Sequence, residues 1–318
     1  MKKVLIGQKI PEEALKILEG VAEIATSQEG NIDEFKGLLK DSTAVILGSS
    51  IKFTDDLMSI APELKVISRT GAGVDNVDVK SATTRGILVL NTPEANSISV
   101  AEHAIALIAT ISKQLFFLDQ EVRKGNFKTA RRLYLPVDMD GKTLGIIGCG
   151  RIGKLVAAKC VNAFNMSVLG YDPYLDTAPE GIELVSEIEE VFKKADYISL
   201  HIPLTEKTKN LIGGRLLSLM KPSAYLINIA RGGIVDEEAL AKKLKNKEIA
   251  GAAFDVFSAE PPEATNKLLE LSNIILTPHS AALTKECVIR VAVEAATGIV
   301  DYLKGATPRF VFNKELLK

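Results

Sequence analysis

The 318-residue sequence has no tryptophan and only three cysteines, Cys149, Cys160 and Cys287. An odd number of thiols at no paired spacing excludes a disulfide framework and a thiolate metal site, so no metal is expected and the setting implied is reducing and cytoplasmic. No apolar run reaches the length of a membrane span. The opening MKKVLIGQKI passes directly into PEEALKILEG, too short an apolar stretch for a secretory signal. Neither charge dominates: 39 Lys and Arg stand against 40 Asp and Glu, a net charge of −1, and no basic run is long enough to follow a phosphate backbone. Nucleic acid and membrane therefore drop out as partners, which leaves a small water-soluble molecule. The absence of short-period repeats and low-complexity tracts excludes solenoids and disordered chains.

What is present is alternation. Short Val/Ile/Leu-rich runs alternate with segments of helical period, the pattern of an α/β protein with parallel sheets. The first third offers five strands, at 2–7, 23–26, 43–48, 65–70 and 87–92, and then a long helix over 98–125 with no Pro or Gly before Gly125. A second series follows at 143–148, 166–172, 196–203, 224–230, 251–257 and 274–279, six strands that predict a doubly wound sheet. A helix over 284–305 comes next, and the tail ATPRFVFNKELLK reads as an extension packing back on the first domain.

The first strand of the second series runs into Gly148-Cys149-Gly150-Arg151-Ile152-Gly153, a G-x-G-x-x-G opening a helix, and Asp172 ends the next strand 19 residues past Gly153. Gly148 allows a tight turn, Gly150 admits a pyrophosphate to the backbone, and Gly153 lets helix and strand pack closely. Asp172 suits the hydroxyls of an adenosine ribose and would repel a 2′-phosphate, so NAD is expected rather than NADP. Cys149 fills an x position as a small apolar side chain.

Three polar residues fall at or beyond the ends of the later strands: Arg231 after AYLINIA, Glu260 after GAAFDVF and His279 after NIILTP. Imidazole exchanges a proton with a hydroxyl near neutral pH. A carboxylate would fix its tautomer, and a guanidinium fork would hold a substrate carboxylate and polarise its carbonyl. Taken singly, each is more often structural, as a satisfied strand-end His, an exposed loop acid or an ion-paired Arg; jointly, on one face of such a sheet, they point to a site.

Seven segments, NTPEANSISVAEHAIALI, GKTLGIIGCGRIGK, GYDPY, HIPLTEKTKNLI, NIARGGIVDEEAL, GAAFDVFSAEPP and NIILTPHSA, together resemble the D-isomer-specific 2-hydroxyacid dehydrogenases over nearly the whole chain. SRTGAGVDNVD (68–78) is most similar to the branch acting on 3-phosphoglycerate. The resemblance implies a Rossmann NAD-binding domain (99–284) inserted in a flavodoxin-like substrate domain (1–98 and 285–318), and a homodimer. By the same resemblance Arg231, Glu260 and His279 are catalytic. Gly148, Gly150, Arg151, Ile152, Gly153, Asp172, Pro173, His201, Ile202, Pro203, Ile229, Ala230 and Asp255 lie on the cofactor side, and Ser49, Ala72, Gly73 and Val74 on the substrate side. His103 is expected to pack on its helix or at a subunit interface. Two departures bear on the substrate. Gly48 stands where many of the 3-phosphoglycerate branch carry an arginine, with Lys52, Arg131 or Arg132 as replacements; and the sequence ends at Lys318, so serine feedback through an added domain is not expected. The alternatives are a hydroxypyruvate, glyoxylate or other 2-oxo acid reductase, and a non-catalytic NAD-sensing scaffold of corepressor type.

Overall fold

A computed structural model describes residues 1–133 and 135–317. By internal contacts the chain divides into two compact units, 1–97 with 282–318, and 98–281.

In the first unit, β1 (Lys3–Ile6), β2 (Glu23–Thr26), β3 (Ala44–Leu47), β4 (Val66–Arg69) and β5 (Leu88–Leu90) form a parallel sheet in the order β2-β1-β3-β4-β5. Helices α1 (Glu12–Leu18), α2 (Ile32–Leu39), α3 (Asp55–Ser59) and α4 (Val79–Thr84) connect them. β3 is buried along its whole length, as a parallel strand covered on both faces must be. Asn31 and Asp78 start α2 and α4 by accepting the backbone N–H of Glu34 and Ser81.

The second unit opens with α5 (Ser97–Ser112), α6 (Leu115–Arg123) and α7 (Phe127–Leu133). Its sheet contains β6 (Thr143–Ile147), β7 (Ser167–Tyr171), β8 (Glu183–Leu184), β9 (Tyr197–Leu200), β10 (Tyr225–Asn228), β11 (Gly251–Phe254) and β12 (Ile274–Leu276). All run parallel in the order β12-β11-β10-β9-β6-β7-β8. Helices α8 (Arg151–Phe164), α9 (Ile188–Lys194), α10 (Gly214–Leu217) and α11 (Glu237–Lys245) flank it. The doubly wound α/β class read from the sequence holds. The six strands expected are joined by β8, a two-residue edge strand too short and too polar to announce itself by pattern.

The single helix expected over 98–125 is in fact two, bent by 56°. Neither Pro nor Gly breaks it; hydrogen bonding does. The carbonyl of Ser112 accepts from Val137 N–H (3.0 Å), its hydroxyl donates to Val137 O (2.9 Å) and lies 2.8 Å from Tyr197 Oη, and Gln114 turns into the left-handed region at φ 50°. No single helix among the described residues is long and apolar enough to cross a membrane.

The last helix, α12 (Lys285–Leu303), belongs to the first unit, where Ala292, Ala295 and Ala296 bring its backbone so close to β4 that Ser68 Oγ donates to Ala295 O (3.0 Å). The tail does pack back as expected. Val311 bridges Leu90 antiparallel, and the buried Asn313 side chain accepts from Val89 N–H (2.8 Å) and donates to Ile87 O (2.9 Å).

Candidate active site

Each sheet reverses winding direction once, between β1 and β3 in the first unit and between β6 and β9 in the second, and a crevice opens at the carboxyl ends of such strands. In the second unit Ile147 pairs with Tyr171 and Leu200, so Gly148, Asp172 and His201, the next residue of each strand, lie side by side at that crevice.

Gly148 adopts φ 93°, and a Cβ on it would fall 2.7 Å from His201 O. A Cβ on Gly153 would fall 2.3 Å from Gly148 O, so the first turn of α8 can lie against β6 only with glycine there. Gly150 caps α8 and faces open space, with no atom beyond its own chain neighbours within 4 Å of where its Cβ would be. The N-terminus of this fourteen-residue helix, with its positive dipole end, thus faces an open cradle, the arrangement a pyrophosphate requires. Asp172 is anchored at both oxygens, by Cys149 N–H (3.0 Å) and Tyr174 N–H (3.1 Å), and stays part-exposed. Cys149 is buried in the loop; burial, then the Asp172 charge, pushes its thiol up to about 11, so it is no thiolate at neutral pH.

His201 shares a hydrogen bond with Ser199 Oγ (Nε2, 2.9 Å) while its buried Nδ1 makes no protein hydrogen bond. Burial drives its imidazole down to about 3, so it is neutral in the fold. Below its ordinary value of 6.5 the unfolded chain takes up a proton that the native chain refuses, and stability falls with falling pH from 6.5 towards 3. Urea titrations at pH 7 and pH 5 are expected to show a loss about 2 kcal/mol larger in the wild type than in a His201→Gln variant. Equal losses in the two proteins would refute a buried neutral imidazole.

Further along the same edge, Asn228, Phe254 and Leu276 stand in register on β10, β11 and β12, and each strand is followed by one of the three expected catalytic residues. Asn228, buried, accepts from Ala230 N–H (3.1 Å) and donates to Arg231 O (3.0 Å), shaping the turn that carries Arg231, whose Nη1 donates to Ala230 O (2.7 Å). Gly232 lies directly on the next loop: a Cβ there would fall 1.7 Å from Phe257 O. That loop presents Glu260, with Oε1 accepting from Phe257 N–H (3.0 Å) and Oε2 2.7 Å from His279 Nδ1. Both members of the pair are exposed within this unit, and His279 Nε2 is the ring nitrogen left for a ligand.

His279 adopts φ 51°, a left-handed conformation that a non-glycine residue holds only when its surroundings impose it. Asp255 imposes it. Its backbone carbonyl accepts from His279 N–H (2.8 Å), and its wholly buried carboxylate accepts from Thr277 Oγ1 (2.6 Å), Ser280 N–H (2.8 Å) and Ala281 N–H (2.9 Å). The sequence placed Asp255 against the cofactor; in the structure no surface of it is open to a ligand, and its carboxylate is spent on the turn that aims His279. His103, expected to be structural, reaches the same cluster from α5, with Nε2 3.2 Å from Thr277 Oγ1 and 3.6 Å from Asp255 Oδ1.

In the first unit the switch crevice is lined differently. The space beside Gly48, at the end of β3, is filled by Gln8 from the end of β1, whose Oε1 would meet a Cβ on Gly48 at 1.6 Å and whose Nε2 donates to Thr70 Oγ1 (2.9 Å). Asn76 Nδ2 holds the loop by donating to the carbonyls of Gly48 (2.8 Å) and Ile51 (2.7 Å). Ser49 is exposed there; Ala72, Gly73 and Val74 follow β4, and Ala72 O accepts from Asn91 Nδ2 (2.7 Å).

Residues 105–281 match the model of the D-isomer specific 2-hydroxyacid dehydrogenase family's NAD-binding domain. The chain belongs to that family. Among curated relatives, D-3-phosphoglycerate dehydrogenase of Methanocaldococcus jannaschii is 41% identical over 98% of this chain, which spans 60% of that protein's length. Among solved structures, D-lactate dehydrogenase from Aquifex aeolicus, complexed with NAD and lactic acid, matches with TM-score 0.82 and 32% identity over 96% of each chain. An NADPH-dependent glyoxylate/hydroxypyruvate reductase from Sinorhizobium meliloti matches with TM-score 0.88 and 27% identity over 99% of this chain and 98% of its own.

The family's NAD-binding domain is therefore the unit that carries the glycine turn, Asp172 and all three polar residues beyond the later strands. Of the cofactor-side residues, Gly150, Arg151, Pro173 and Pro203 are exposed at the carboxyl edge; Ile152, Asp172, His201 and Ile202 are part-exposed; and Ile229 and Ala230 are buried beneath it. Sequence reasoning missed Asn228, Thr277 and Gln8. The first two had a readable signal, as polar residues at the end of apolar strands; Gln8 had none, because its partner Gly48 lies 40 positions away.

Proposed function

We propose that the protein is an NAD-dependent D-2-hydroxyacid dehydrogenase whose substrate is 3-phospho-D-glycerate, oxidised at its hydroxyl carbon. The observation carrying this reading is the 2.7 Å pair between His279 Nδ1 and Glu260 Oε2 on the edge where the glycine turn opens. NAD, when bound, supplies the acceptor for the hydride. His279 takes the hydroxyl proton on Nε2, and the Glu260 carboxylate on Nδ1 stabilises the imidazolium so formed. Arg231, held by Asn228 at the end of β10, binds the carboxylate and the oxygen that becomes the carbonyl. Asp172 takes the ribose hydroxyls, and α8 faces the pyrophosphate.

The phosphorylated substrate is supported by the relatives named D-3-phosphoglycerate dehydrogenase, with Lys52, Arg131 and Arg132 as exposed cations. One observation favours the second reading, a reductase of unphosphorylated 2-oxo acids: Gln8 puts a neutral amide over Gly48 at the switch crevice. Rates on 3-phospho-D-glycerate, D-glycerate, D-lactate, hydroxypyruvate and glyoxylate, each with the NAD and NADP couples, separate the readings. The proposal expects the highest kcat/KM for 3-phospho-D-glycerate with NAD; preference for an unphosphorylated acid supports the reductase, and NADH binding without turnover of any acid supports a scaffold.

We further propose a homodimer built on the segment 98–137, where Ile98, Leu115, Phe116, Val122, Phe127 and Leu135 leave apolar surface exposed. Sedimentation at twice the 34.3 kDa chain mass is the check; a monomer refutes it. Three buried, free thiols support a cytoplasmic location.

A further inference from the structure

The helix α11 starts one residue after its cap: Asp236 already accepts the N–H of Ala239. The carboxylate of Glu237 is therefore not needed to cap this helix, and it turns away to the loop that follows β11. Its Oε1 accepts from Ser258 N–H (2.6 Å) and Ser258 Oγ (2.7 Å), and its Oε2 accepts from Asn266 Nδ2 (2.7 Å). One side chain thus ties both ends of 258–266, and Glu260 is on that loop. The surroundings oppose the arrangement electrostatically, since Asp236, Glu238 and Glu263 share the same depression, with Lys267 bonded to Glu238 as the cation beside them. A carboxylate kept among like charges and given three donors is one whose hydrogen bonds do something specific.

A second contact reinforces the first. Gly232 presses its Cα against the Phe257–Ser258 peptide, so closely that a Cβ would fall 1.7 Å from Phe257 O and 2.6 Å from Ser258 N. The stretch from Arg231 to Glu237 therefore grips the Glu260 loop at its start, through Gly232 and Ser258, and at its far end, through Asn266. Within the loop, Glu260 has one oxygen on Phe257 N–H and the other on His279 Nδ1.

We propose that Glu237 is a positioning residue for proton transfer: by clamping 258–266 it sets Glu260 at hydrogen-bonding distance from His279. This rests on the reading of Glu260 and His279 as an acid–base pair. It predicts an effect on turnover that passes entirely through Glu260 and leaves cofactor binding alone, because Glu237 touches no residue of the glycine turn.

The test is a double-mutant cycle on the full chain, with kcat from NADH absorbance and NADH affinity from fluorescence titration. Glu237→Ala is expected to lower kcat about 10- to 100-fold, as loss of alignment by an ångström does, with NADH affinity within about twofold of wild type. Glu237→Gln keeps an acceptor for Ser258 and loses the one for Asn266, and is expected to fall between. In a Glu260→Ala background, adding Glu237→Ala is expected to change kcat by less than about twofold, since nothing remains to be positioned. Equal losses in both backgrounds, or a parallel loss of NADH affinity, would show a general structural role and overturn the proposal. If Glu260→Ala lowers kcat while neither Glu237 variant does, the positioning role alone fails. If Glu260→Ala leaves kcat unchanged, the acid–base reading fails and takes the clamp with it. Should Glu237→Ala not fold, Asn266→Ala removes one anchor, and the same cycle with Glu260→Ala decides.

Discussion

Replacing His279 by alanine is expected to lower kcat roughly 10²- to 10⁴-fold, the range for removal of a general base. NADH affinity is expected to stay within about threefold, because the glycine turn, Asp172 and α8 lie at the other side of the sheet's switch point and share no hydrogen bond with His279. The fold should tolerate the change. Position 279 is held in its left-handed conformation by Asp255, through backbone and carboxylate bonds that the imidazole does not make, and the imidazole itself is exposed in its own unit. Steady-state kinetics and fluorescence titration of the same preparation check both halves. Turnover within a few fold of wild type would remove His279 from the chemistry.

The opposite signature is expected from Gly153→Ala. The added methyl would lie 2.3 Å from Gly148 O and 3.0 Å from Ile146 Cγ2, far inside van der Waals contact, and both obstacles are fixed, one by a turn at φ 93° and one by a central strand. The first turn of α8 must lift from β6. Overpacking of this kind costs about 1–3 kcal/mol of stability, and the shift carries the helix N-terminus away from the cradle it forms with Gly150, so NADH affinity is expected to drop about 100-fold or more. Chemical denaturation and NADH titration measure the two losses. Unchanged NADH affinity would mean that the turn does not bind the cofactor.

Both expectations rest on residues whose meaning was readable at different depths. The glycine turn was legible because its requirements are local: a strand, three small residues at fixed offsets, a helix, and an acid at the end of the next strand. Arg231, Glu260 and His279 were legible as candidates, since polar groups after apolar strands must go to the carboxyl edge of a parallel sheet. The contact between Glu260 and His279 was not readable from spacing alone, because it depends on register: Phe254 and Leu276 had to align on neighbouring strands before the loops beyond them could meet. Asp255 shows the limit most plainly. Its sequence position, directly after β11, is that of a ligand-facing residue, whereas the four hydrogen bonds that bury it come from a turn over 20 residues further on. The break in the helix expected over 98–125 has the same origin. It comes from Val137 and Tyr197 bonding to Ser112, and no local propensity near Gln114 signals it.

In the proposed reaction hydride passes directly between the hydroxyl carbon of a D-2-hydroxy acid and NAD while His279 handles the proton. This transfer is tested most directly by supplying the best D-2-hydroxy acid of the substrate panel, deuterated at C2, with NAD, and locating the deuterium by NMR. Deuterium at C4 of the NADH formed, with none released to water, is the predicted result. Deuterium in the solvent, or no NADH formed from any D-2-hydroxy acid, would contradict it.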